Sequence, residues 1–140
     1  MDGEREPVPA RRVDEHLASC PDCRQWQAEL DSQMQLLRGL GLKAIEIPTD
    51  PNTGISVEAL EMALDQWPIK GVLLVPNCNN PLGFIMPDAR KRAVLALAQR
   101  HDIVIFEDDV YGELATEYPR PRTIHSWDSD GRVILCSSFT

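Results

Sequence analysis

The sequence lacks several features that would place it in common functional classes. No apolar run approaches the ~18 residues of a membrane-spanning helix, and the charged start, MDGERE, is unlike a secretory signal. Basic residues are in the minority, because 14 Lys and Arg stand against 22 Asp and Glu. The net charge of −8 argues against a nucleic-acid surface. We therefore predict a cytoplasmic chain that contacts neither a membrane nor nucleic acid.

A disulfide framework and glycine-rich nucleotide loops are also missing. The four cysteines show no disulfide framework, and Cys78 and Cys136 stand singly beside apolar runs, as small buried residues do. Neither a GxxxxGK[ST] phosphate loop nor a GxGxxG fingerprint is present. The absence of both motifs excludes the usual nucleotide-binding designs.

The first forty residues are charged and favour helices. Residues 1–12, which contain two prolines, are predicted to form a mobile tail. Residues 13–40 have a helical pattern, and Pro21 should divide them into two helices. The inward face of the second helix is predicted to carry Leu30, Met34, Leu37 and Leu40.

From residue 42 onward, strand and helix patterns alternate. Strands are predicted at 42–47, 71–75, 103–106 and 133–136, and helices at 57–67 and 87–100. Ser56 is the expected N-cap of the first of these helices. Its inward face should comprise Val57, Leu60, Leu64 and Trp67, and that of the second Val94, Leu97 and Ala98. The strands are continuously apolar, so we predict an α/β fold whose parallel sheet is covered by helices on both faces.

Polar groups follow three of these strands. They are Asn80, Asp108 with Tyr111, and Ser138. Since ligands of open α/β sheets bind at the carboxyl ends of the strands, these groups are expected to meet at one small molecule. Two alternatives remain for the acidic run 107–109: it could hold Mg²⁺, or it could cap the following turn and face water.

Three motifs at these strand ends resemble a known family. They are PNCNNPLG at 76–83, FEDDVYGEL at 106–114 and SSFT at 137–140. In this order they resemble the large domain of fold-type I pyridoxal-phosphate enzymes, the aspartate aminotransferase superfamily. The similarity is greatest to the aminotransferase half of GntR-type regulators of the MocR group. The resemblance implies a partial large domain over residues 34–140, preceded by a short helical segment.

The resemblance also implies a cofactor and its contacts. The cofactor would be pyridoxal 5′-phosphate, with Asp108 on its ring nitrogen, Asn80 and Tyr111 on its phenolic oxygen, and Ser138 on its phosphate. Glu107 and Asp109 receive no role. The Schiff-base lysine would follow Thr140 directly, so no catalytic residue is assigned and this chain alone is predicted to be inactive. The family also implies an amino-acid or amine substrate or effector and a homodimer.

A second motif, HxxxCxxC, comprises His16, Cys20 and Cys23. His and Cys four residues apart share a helical face, and the CxxC turn brings a second thiolate toward the same ion. With its context, residues 1–33 resemble an incomplete zinc-binding anti-sigma factor segment. That family takes a fourth ligand from upstream, but no Cys or His precedes His16 here, so at most three protein ligands are expected.

Three hypotheses for the whole chain follow. It is a segment of a pyridoxal-phosphate aminotransferase or MocR-type effector domain, a zinc-dependent protein-interaction module, or a fused reading frame without activity. Bound cofactor would support the first hypothesis. Stoichiometric zinc and a captured protein partner would support the second.

Overall fold

A computed structural model describes residues 10–116 and 118–138. The chain divides into two compact units, residues 1–46 and 47–140. The elements in chain order are α1 Ala10–Ser19, α2 Pro21–Gly39, β1 Thr49–Asp50, β2 Gly54–Ile55, α3 Val57–Gln66, β3 Gly71–Leu74, α4 Asp88–Arg100, β4 Val104–Asp108 and β5 Val133–Cys136. Short 3-10 helices occupy Gly112–Leu114 and Ile124–Trp127. None of the helices in the described ranges is long and apolar enough to cross a membrane.

The first unit contains α1 and α2, which are separated at Cys20. Pro21 begins α2, where its missing N–H costs nothing, so the predicted break is confirmed. The predicted tail is wrong for residues 10–12, which belong to α1 because Ala and Arg are strong helix formers; residues 1–9 lie outside the described part. The predicted inward face of α2 is only partly described. The side chains of Leu30, Met34 and Leu37 lie outside the described part of the structure. Leu40 is exposed.

The second unit is built on a parallel three-stranded sheet in the order β3-β4-β5. The central strand β4 sets the register, with Phe106 paired to Leu73 on one side and Ile134 on the other. The strands β1 and β2 form a separate antiparallel hairpin. The predicted parallel α/β sheet is therefore confirmed, with three strands instead of four.

One face of this sheet forms the core with α3 and α4. Ser56 caps α3, since its Oγ accepts a hydrogen bond from the Ala59 N–H at 3.1 Å, as predicted. The predicted inward residues Leu60, Leu64, Val94, Leu97 and Ala98 are all buried, and Val57 packs against them. Trp67 is the exception: it ends α3 and remains half-exposed, because the backbone there has already left the helix.

Two predictions about the sheet are wrong. Residues 42–47 form no strand, and 42–46 are exposed, because a strand needs a neighbour for its N–H and C=O groups and the sheet ends at β3. No helix of residues 47–116 or 118–138 covers the second face of the sheet. Leu73, Phe106 and Ile134, which lie in one row across the three strands, are 72%, 40% and 48% exposed. We call this row the open face. The prediction of helices on both faces of the sheet is therefore wrong for this segment, although its strands are continuously apolar.

Candidate functional site

The loop after β3 presents Asn80 at the carboxyl end of the sheet. The loop closes through a hydrogen bond from the Asn79 N–H to the Phe84 carbonyl at 3.0 Å. Cys78 and Gly83 have positive φ values of 48° and 73°, and they turn the backbone sharply on either side of Asn80. The glycine adopts this conformation without strain. As a result the Asn80 side chain is exposed at the strand tip.

The end of β4 supplies Asp108 and Tyr111. Asp108 is the last residue of β4 and is half-buried, and its carboxylate accepts the Val110 N–H at 3.2 Å. This local turn directs the chain toward Tyr111. The Asn80 Nδ2 atom donates to the Tyr111 hydroxyl at 3.3 Å. Two loops that are 31 residues apart in sequence therefore meet at Tyr111, three residues after Asp108.

Ser138 lies two residues beyond β5 and is exposed. It thus lies at the carboxyl end of the third strand of the sheet. Among the described residues, no hydrogen bond joins Ser138 to Asn80, Asp108 or Tyr111. The structure brings Asn80 and Tyr111 into contact, has Asp108 three residues before Tyr111 at the end of β4, and leaves Ser138 on an adjacent strand end.

A buried polar network lies behind this edge of the sheet, and its role was missed in the sequence. Lys91 on α4 donates from Nζ to Asn77 Oδ1 and to the Arg122 carbonyl, both at 2.7 Å. Asn77 Nδ2 in turn donates to Asp109 Oδ1 at 2.8 Å. One signal for it was available: Lys91 precedes Val94 by three residues and so shares the inward face of α4.

The second carboxylate oxygen of Asp109 is bound by a partly exposed side chain. Asp109 Oδ2 pairs with the Arg120 guanidinium, which also binds Glu113. A Cβ atom at Gly112 would lie 2.6 Å from Asp109 Oδ1, so only glycine fits there without displacing this network. No local sequence pattern predicts these contacts, because Arg120 is 11 residues from Asp109.

Glu107 is fully buried on the core face of β4. Its two carboxylate oxygens accept the N–H groups of Ile124 and His125 at 2.7 and 2.8 Å. Burial raises the pKa of Glu107, although these two hydrogen bonds oppose the rise. Burial likewise lowers the pKa of Lys91, against the attraction of Asp88, Glu107 and Asp109.

These observations overturn the Mg²⁺ alternative for the acidic run 107–109, and of the second alternative they retain only the cap of the following turn, which Asp108 provides. Glu107 and Asp109 are buried, so they do not face water. Successive side chains of a strand point to opposite faces, so the half-buried Asp108 lies away from Glu107. The run therefore does not converge on one Mg²⁺ ion. Within the described ranges, the group suited to a metal is His16, Cys20 and Cys23.

His16, Cys20 and Cys23 do come together in the first unit. Their candidate ligand atoms all lie within 4.8 Å of one another, and His16 Nε2 is 3.1 Å from Cys23 Sγ. Hydrogen bonds from Cys23 lower the pKa of Cys20, and the same contact raises the pKa of Cys23. An imidazole and two thiols are ligands that zinc prefers, so this donor set fits that ion.

The comparison with known families assigns most of the chain. Residues 32–140 match the model of the family described as "Aminotransferase class I and II". The chain belongs to this family. A second model, described as "Putative zinc-finger", matches residues 1–24.

Individual relatives include both regulators and aminotransferases. The chain is 88% identical over 107 residues to the uncharacterized HTH-type transcriptional regulator YjiR of Escherichia coli, covering 76% of this chain and 23% of that protein. It is 35% identical to aromatic-amino-acid aminotransferase 1 of Thermococcus litoralis, covering 69% of this chain and 24% of that protein. The chain thus spans about a quarter of the length of these relatives.

Solved structures give the same fold. The kynurenine aminotransferase of Pyrococcus horikoshii, solved with PMP, has a TM-score of 0.64 and 37% identity, over 69% of this chain and 25% of that one. The α-aminoadipate aminotransferase LysN of Thermus thermophilus, complexed with N-(5′-phosphopyridoxyl)-L-leucine, has a TM-score of 0.66 and 25% identity, over 71% and 26%. These findings confirm the aminotransferase-like fold, the pyridoxal-phosphate family and the resemblance to MocR-type regulators.

Proposed function

We propose that this aminotransferase-family segment anchors pyridoxal phosphate at the carboxyl ends of β3, β4 and β5. The observation that carries the proposal is the 3.3 Å contact between Asn80 Nδ2 and the Tyr111 hydroxyl, which brings the loop after β3 to the loop that follows Asp108. The donor set fits the cofactor, because a carboxylate, an amide and a hydroxyl complement a protonated ring nitrogen and a phenolic oxygen.

Each residue would have a distinct role. When bound, pyridoxal phosphate serves as an electron sink, and a carboxylate such as Asp108 keeps its ring nitrogen protonated. Asn80 and Tyr111 would donate hydrogen bonds to the phenolic oxygen and fix the orientation of the ring. Ser138, the exposed hydroxyl at the end of the neighbouring strand, would contact the phosphate.

Between an enzyme and a sensor, we favour the effector domain of a MocR-type regulator. The 88% identity to an HTH-type regulator supports this choice over a free aminotransferase. The ligand would be an amino acid or amine, and the assembly a homodimer in the cytoplasm. This segment itself would contact neither membrane nor nucleic acid. The family matches at 1–24 and 32–140 support a division into a zinc-finger-like segment, 1–33, and an aminotransferase segment, 34–140.

The test is to measure binding of pyridoxamine 5′-phosphate, which has no aldehyde and so reports the non-covalent anchors alone. Changing Asp108→Ala removes a charge-assisted hydrogen bond worth about 1.5–3 kcal/mol, so the dissociation constant should rise at least about tenfold. Asp65→Ala, which removes an exposed carboxylate from α3, is the matched control. Equal affinities of the wild type and the Asp108 variant in equilibrium dialysis would reject the assignment.

A second candidate function belongs to the first unit. The convergence of His16, Cys20 and Cys23 favours a zinc-dependent interaction module of the anti-sigma type. These three residues would hold the ion, whose role would be to fix the α1–α2 turn. Measuring zinc stoichiometry in the purified protein tests this function independently of the cofactor.

A further inference from the structure

The buried chain Lys91–Asn77–Asp109 connects the two loops of the candidate site from behind. These three residues are 0%, 0% and 3% exposed. Asn77 lies in the loop that presents Asn80, and Asp109 stands between Asp108 and Tyr111 in the sequence. Each of these two residues is thus no more than three residues along the chain from one proposed to contact the ligand. A shift of Asn77 or Asp109 would therefore move the backbone that carries that residue.

The chemistry of lysine fixes the direction of this chain. Lys91 can only donate hydrogen bonds, so the Asn77 atom 2.7 Å from its Nζ is the carbonyl oxygen. The Asn77 amide group is then turned toward Asp109, to which it donates at 2.8 Å. The second contact of Lys91, with the Arg122 carbonyl at 2.7 Å, holds the ammonium group in place.

We propose that Lys91 is a positioning residue that keeps Asn80 and the Asp108–Tyr111 segment at the separation the ligand requires. The proposal rests on the proposed pyridoxal-phosphate site. In this role Lys91 touches neither cofactor nor substrate and acts through Asn77 and Asp109.

The outer contact alone is too weak for this task. The bond between Asn80 and Tyr111 is 3.3 Å long and exposed, so water competes for both groups. The inner bonds are 2.7 and 2.8 Å long, buried, and formed with an ammonium or a carboxylate. Charge-assisted bonds of this length are the stronger class, and they are shielded from water. The separation of the two loops is therefore set by the inner network.

A buried lysine of lowered pKa also suggests a different role, that of a nucleophile toward the aldehyde of the cofactor. The geometry opposes that role. The Lys91 side chain is fully buried, and its Nζ already lies at hydrogen-bond distance from two acceptors. Reductive trapping with pyridoxal phosphate and borohydride on the native protein separates the two roles. We expect label on exposed lysines such as Lys70, and label on Lys91 would overturn the proposal.

The decisive experiment compares Lys91→Met, Arg120→Gln and the surface control Lys70→Met in the full chain. The first readout, in ligand-free protein, is the nuclear Overhauser effect between the Asn80 side-chain amide and the Tyr111 ring. The second is the dissociation constant of pyridoxamine 5′-phosphate. We expect Lys91→Met to reduce the Overhauser effect at least twofold and to weaken binding at least tenfold. Lys70→Met should match the wild type in both readouts.

Arg120→Gln guards against loss of folding. Arg120 holds Asp109 from the partly exposed side, so its removal loosens the network with less risk to the core. If Lys91→Met no longer unfolds cooperatively in urea, unchanged readouts in Arg120→Gln overturn the proposal. If the wild type fails to bind pyridoxamine 5′-phosphate, the proposed function fails separately. In that case the positioning role is judged from the Overhauser effect between Asn80 and Tyr111 in ligand-free protein. An unchanged effect in Lys91→Met overturns the positioning role.

Discussion

The fully buried Glu107 gives the sharpest quantitative prediction. In Glu107→Gln the side chain keeps its shape, but one of its two acceptor oxygens becomes an amide that can only donate. One of the N–H groups of Ile124 and His125, now bonded at 2.7 and 2.8 Å, then loses its acceptor. A buried unsatisfied donor costs about 1–3 kcal/mol. We expect the free energy of unfolding at pH 7 to fall by that amount in urea titrations.

The pH dependence of this difference follows from the raised pKa of Glu107. Between its ordinary value of 4.5 and its raised folded pKa, Glu107 has released its proton in the unfolded chain but still holds it in the folded chain. The stability contributed by Glu107 is therefore fully present below about pH 4.5 and is lost as the pH rises through the folded pKa. The glutamine variant has no such titration. The gap in unfolding free energy between wild type and variant should therefore widen as the pH falls from 7 toward 4.5.

Glu61→Gln is a suitable control, because Glu61 is half-exposed and pairs with Arg100 at the surface. Its effect should stay below about 1 kcal/mol. If the difference in unfolding free energy between the wild type and Glu107→Gln narrows as the pH falls, the reasoning is refuted. In that case the two N–H bonds and Lys91 would outweigh burial, and the folded carboxylate would be the favoured form.

Two further predictions concern the cap of α3 and the metal site. Ser56→Ala should lower the free energy of unfolding by about 0.5–2 kcal/mol in urea, because the Ala59 N–H loses its acceptor, and an equal stability would contradict the cap. Cys23→Ser should reduce zinc stoichiometry in dialysed protein by more than half, since it removes one of three converging ligands. Cys136→Ser, outside that group, should retain wild-type zinc, and equal loss in both variants would reject the site.

Local sequence signals were sufficient for the elements with short-range causes. The hydroxyl of Ser56 precedes a helical pattern, and Pro21 cannot continue a helix, so both boundaries follow from neighbouring residues. The strands 71–74 and 133–136 were likewise predictable from their apolar runs. The two helix boundaries depend only on residues within one or two turns, whereas the two strands also found in β4 the neighbour that a strand requires.

The features that the sequence did not predict depend on residues far away in the chain. Residues 42–47 have the composition of a strand but no neighbour to pair with, and composition alone does not show this. The burial of Glu107 depends on N–H groups 17 and 18 residues further along the chain. In the candidate site, the motifs predicted that Asn80 and Tyr111 would share a strand edge. They did not predict the buried network behind them, which joins α4 to two loops.

The open face has a consequence for ligand affinity. Phe106 and Asp108 are two residues apart on β4, so their side chains leave the same side of the sheet. A protein surface that packs on the open face, and so on Phe106, would also remove water from around the Asp108 carboxylate. In that drier medium the attraction between the carboxylate and a protonated ring nitrogen is stronger. At the proposed site, packing on the open face and holding a ligand at Asp108 would thus be linked equilibria, and by reciprocity a bound ligand would tighten the packing by the same factor.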